Sequence, residues 1–78
     1  MGGDTEKEIL SILEEALKRE RAAYNLYSRG ASLAEKTEIQ KVFQQLAQEE
    51  LSHEKLLTEI YHGYKKRLGL KVLHPDEE

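Results

Sequence analysis

The sequence predicts an all-α protein: an antiparallel two-helix hairpin that dimerises into a four-helix bundle. Three observations predict it. Ala, Leu, Glu, Lys and Gln abound, valine is rare, the single proline is Pro75, and no useful strand-like alternation occurs. Apolar residues recur at steps of three and four along two long segments. One break, near Glu35 and Lys36, divides those segments into nearly equal lengths.

The first helix is expected over about residues 5–34. Thr5-Glu6-Lys7-Glu8 has the form of a capping box. Ile9, Leu13, Ala16, Ala23, Tyr27, Ala31 and Ala34 follow at helical spacing, with one gap of seven filled by Glu20. Gly30 lies inside this pattern and weakens it by roughly 1 kcal/mol relative to alanine, so a bend or fraying is expected there. The second helix is expected over about residues 37–67. Thr37-Glu38-Ile39-Gln40 is a second capping box, and Ile39, Phe43, Leu46, Leu57, Ile60 and Tyr64 carry the apolar series. Lys65, Lys66 and Arg67 suit a helix C-terminus, and Gly69 a stop. Residues 1–4 are expected to be a flexible N-terminus and 68–78 a polar tail.

A link this short makes the helices antiparallel neighbours. Further apolar residues, among them Leu10, Leu17, Leu26, Val42, Leu56 and Leu70, exceed what two helices can cover. A second hairpin, supplied by a homodimer, is the economical remedy. At 78 residues the chain forms one domain with a small core. Zero cysteines exclude disulfides and thiolate metal sites, leaving oxygen and nitrogen ligands. They also fit a reducing cytoplasm, the expected location, either free or within a protein compartment. Net charge is −3, with 12 basic and 15 acidic residues interspersed, which argues against a nucleic-acid face or a membrane anchor. No apolar run approaches a membrane span.

Three polar residues interrupt the apolar series: Glu20 in the first helix, Glu50 and His53 in the second. A buried carboxylate must be paired or bound to metal. Glu50 and His53, at i and i+3, share a helix face and can converge on one ion. Glu20 lies 15 residues before Glu35 and Glu50 14 residues after Lys36, so an antiparallel hairpin brings them level. Glu49 and Glu54 read as ordinary surface acids, and Tyr24 as packing. Two hairpins supply four glutamates and two histidines, the ligand set of di-iron carboxylate four-helix bundles.

"KRERAAYNLYSRGA" followed by "KVFQQLAQEELSHEKLL" resembles the rubrerythrin-like branch of the ferritin-like superfamily. Glu20, Tyr27 seven residues on, and Phe43-x-x-Leu46-Ala47-x-Glu49-Glu50-x-x-His53 carry the resemblance. The half-length chain is similar to the encapsulated ferritin-like proteins, whose iron site forms between subunits. The resemblance implies Glu20, Glu50 and His53 as metal ligands and catalytic residues, with Tyr27 hydrogen-bonded to a ligating carboxylate. It implies two iron ions per dimer, with manganese or zinc as substitutes. The implied activity is oxidation of ferrous iron by dioxygen or hydrogen peroxide, with room for an external electron donor and for assembly beyond the dimer. The competing expectation is a non-catalytic hairpin assembly module with a structural metal site. An accessory that feeds iron to a compartment formed by other chains is a narrower third.

Overall fold

The computed structural model of the chain describes residues 2–69, and the side chains of residues 5–69. The described residues form two helices, α1 (Gly2–Leu33) and α2 (Thr37–Arg67), and no strand. They pack antiparallel: Glu14 pairs with Tyr61, Arg21 with Glu54, and Gln40 with the carbonyl of Ala34. This is the expected hairpin. Leu70, and with it the expected tail from residue 70 onward, lies outside the described residues.

The boundaries refine the expectation. Helix α1 begins at Gly2, so residues 2–4, expected to be flexible, are helical and the Thr5 capping box falls inside the first turns. The first residue of a helix is set by weak local preferences, and a single cap signal does not fix it. Helix α2 starts where expected, but its N-cap is Lys36, in extended conformation and without a side-chain capping bond. Thr37 is already helical and so cannot cap. Gln40 instead donates from Nε2 to the Ala34 carbonyl at 2.9 Å, tying the start of α2 to the end of α1. At the far end the Leu68 N–H bonds to the Tyr64 carbonyl at 3.1 Å, and Gly69 takes φ 76°, the left-handed stop its position suggested.

Each helix carries three parallel rows. The seam facing the other helix is 10, 13, 17, 20, 24, 27, 31 on α1, continued by Ala34 just beyond it, and 40, 43, 47, 50, 54, 57, 61, 64 on α2; every member is buried or half-buried. One residue earlier runs a second row. On α1 it holds Ile9, Ile12, Leu26 and Leu33, and on α2 Ile39, Val42, Leu56 and Ile60, and these eight large apolar side chains are between 36% and 75% exposed. One residue later runs a polar row, with Glu14, Lys18, Arg21 and Asn25 on α1 and Gln44, Gln48, Lys55 and Thr58 on α2. In an antiparallel pair, equal steps of the same sign turn toward the same side. The exposed apolar rows therefore form one front face of the hairpin and the polar rows one back face.

This corrects the phase of the expected series. Ile9, Ile39 and Ile60, members of the apolar series, stand exposed on the front, one step off the seam. The inter-helix core is slight: only Leu10 and Ala47 are buried hydrophobic residues among those described.

Helix α1 runs unbroken through Gly30. A Cβ at this position would meet three carbons of the Phe43 ring at 3.0 Å. The glycine lets that ring lie against the α1 backbone, where it also stacks on Tyr27, ring centroids 6.5 Å apart.

A candidate metal centre at mid-height of the hairpin

The seam is apolar or aromatic over much of its length, and carboxylates interrupt it near the middle. Glu20 of α1 and Glu50 of α2 both belong to it, and their side chains are 22% and 17% exposed. His53 lies one helical turn after Glu50 on the front row, with its side chain 57% exposed. Its Nδ1 is 3.4 Å from Glu20 Oε2 and 3.9 Å from Glu50 Oε2. One ligand atom from each of the three residues lies within 4.8 Å of the other two. All three residues that the sequence singled out as ligands are thus brought together.

Two features of the cluster suit a cation. Glu20 Oε2 is buried and has no hydrogen-bond partner, the only such side-chain atom among the described residues. An orphaned, desolvated carboxylate oxygen is costly, and a positive ion relieves that cost. Glu50 has its pKa raised above the ordinary carboxylate value. The main cause is a side-chain hydrogen bond with Glu20, followed by burial and the Glu20 charge, while His53 opposes the rise. A cation between the two carboxylates would relieve this crowding. Two oxygen donors and one imidazole suit iron, manganese or zinc.

The neighbouring residues divide by face. Behind the cluster, on the polar side, Arg21 Nη2 bonds to Glu54 Oε1 at 2.8 Å, and the Arg21 guanidinium lies 5.6 Å from the centroid of the Tyr24 ring. Glu54, expected to be an ordinary surface acid, is a seam residue with a side chain only 24% exposed. The signal was present in the spacing: Glu54 follows Ala47 by seven residues and Glu50 by four. Tyr24 packs as expected. The Tyr27 ring stacks on Phe43, centroids 6.5 Å apart. Glu49 faces front, where it accepts a long bond of 3.4 Å from Gln45.

Among known proteins, the family model described as rubrerythrin matches residues 11–77, nearly the whole chain. No curated protein and no solved structure matches.

Proposed function

Because the chain belongs to the rubrerythrin family, whose members are di-iron carboxylate proteins, we propose that it oxidises ferrous iron with dioxygen or hydrogen peroxide at a site completed across a homodimer. The observation that carries this reading is the position of the cluster. Glu20, Glu50 and His53 converge at mid-height of the hairpin, and His53 opens onto the face where eight large apolar side chains are exposed. One hairpin offers three ligands, too few to hold two ions. A second copy laid front to front, about a two-fold axis crossing the helices at the level of the cluster, doubles the set. It also sets Ile9 and Ile12 opposite the partner's Leu26 and Leu33, and so covers the apolar face. The lining of that face by charge near its centre, and by aliphatic side chains toward its ends, fits this symmetry.

In this reading Glu20 and Glu50 of both chains would hold the two ions, with His53 as the ligand on the front side. Iron bound there would supply the redox chemistry, ferrous iron giving electrons to dioxygen or hydrogen peroxide. The protein's own residues do the rest. The aliphatic front rows exclude water, and the seam holds the two carboxylates beside each other.

The test is aerobic titration of the purified protein with ferrous iron, followed by absorbance and by native mass spectrometry. We expect about one iron per chain, rapid oxidation and a dimer; Glu50→Ala is expected to lose both binding and oxidation. Binding that is absent, or unchanged in Glu50→Ala, overturns the reading. The exposed front face also supports a plainer alternative, an assembly module whose metal is structural. In that case His53→Ala lowers thermal stability in the presence of metal while the wild-type protein oxidises iron no faster than buffer.

A further inference from the structure

Glu54 has the position of a metal ligand without behaving as one. It lies on the seam one turn beyond Glu50, in contact with Arg21, yet it stays outside the group of ligand atoms gathered within 4.8 Å. Its Oε1 is instead held 2.8 Å from Arg21 Nη2, on the back of the hairpin. Arg21 is itself steadied by its contact with the Tyr24 ring, 5.6 Å from the centroid. A planar guanidinium binds a carboxylate more rigidly than a lysine would, which suits it to keeping the carboxylate turned away.

Resting on the dimeric di-metal reading above, we propose that Arg21 is a positioning residue that withholds Glu54 from the metal and thereby sets the charge for which the site selects. Two copies of Glu20 and Glu50 carry four negative charges, and two divalent ions carry four positive ones. A buried site balanced in this way pays the least desolvation. Glu54 from each copy would leave two negative charges over, a surplus that favours trivalent ions. Arg21 cancels it. The geometry therefore points to a site that holds divalent ions and releases trivalent ones, a property suited to turning ferrous iron over instead of retaining the ferric product.

The test compares the full-length wild type with Arg21→Gln and with the double variant Arg21→Gln/Glu54→Gln. Terbium(III) is the trivalent probe, read by its tyrosine-sensitised luminescence, and manganese(II) is the divalent probe, read by calorimetry. Arg21→Gln is expected to bind terbium roughly ten-fold tighter relative to manganese. The double variant is expected to return to the wild-type ratio. A purely structural role for the Arg21 and Glu54 pair predicts no gain in Arg21→Gln and no reversal in the double variant. An unchanged ratio in Arg21→Gln, or a gain that persists when Glu54 is also replaced, overturns the proposal while leaving the metal site intact. Absence of manganese binding in all three proteins overturns it together with the reading on which it rests.

Discussion

Glu50 is the residue at which the folding problem and the functional one meet. Its pKa is raised chiefly by the hydrogen bond with Glu20, so the folded chain holds a proton that the unfolded chain releases near the ordinary value of 4.5. Stability from this source is fully present below that value and is lost as pH rises through the elevated folded value. Metal-free protein should therefore lose stability as pH climbs above 4.5 through that window, and Glu50→Gln should flatten the loss; urea titrations at several pH values measure it. A second titrating contact lies two to three turns away. The Tyr61 hydroxyl donates to Glu14 Oε2 at 2.6 Å, and its pKa is raised, first by that bond, then by burial, then by the Glu14 charge. Tyr61→Phe should cost about 0.5–1 kcal/mol at neutral pH, the bond being exposed to solvent. The wild-type advantage should fade in alkali, as pH rises through the elevated tyrosine value.

At the scale of the helix, two glycines make opposite predictions. Gly63 has open space where a Cβ would go, so Gly63→Ala should gain about 0.5–1 kcal/mol from helix propensity. Gly30 has the Phe43 ring at 3.0 Å, and that ring is stacked on Tyr27, so it has little room to give way. The overpacking cost of about 1–3 kcal/mol outweighs the propensity gain, and Gly30→Ala should be net destabilising by about 1 kcal/mol. Thermal melts of the two variants side by side check the sign. The short link works similarly through one contact. Gln40 replaces an N-cap for α2 with a bond to the Ala34 carbonyl, fixing the approach of the two helices at the turn.

For the whole molecule, the balance of buried and exposed apolar surface decides the outcome. Leu10 and Ala47 are the only buried hydrophobic residues described, too few to support a stable fold, while eight large apolar side chains face outward on one side. The proposed dimer makes stability concentration-dependent, so the melting temperature should rise with protein concentration. Leu26→Lys, at a side chain 55% exposed on the front face, should weaken association by roughly ten-fold or more; analytical ultracentrifugation reads this directly. Metal at a hundred times its Kd should add about 2.7 kcal/mol to the stability of the wild type and nothing to that of Glu20→Ala. No helix among those described is long and apolar enough to cross a membrane.

Sequence alone determined the two helices, their antiparallel pairing and the trio Glu20, Glu50 and His53. These follow from spacing: steps of three and four set a face, a short break sets antiparallel neighbours, and equal distances from the break set the level. Tertiary structure alone decided the lateral assignment. Seam and front row differ by one residue, about 100° of helix, and both are rich in aliphatic side chains, so Ile9 and Leu10, or Ile60 and Tyr61, compete for the same role in any periodic reading. Contact also decided the partners of polar groups. Glu54 belongs to Arg21, Gln40 to Ala34, and Tyr27 to Phe43, because each pairing joins residues from opposite sides of the turn, where side-chain direction, and not spacing along one helix, selects the partner.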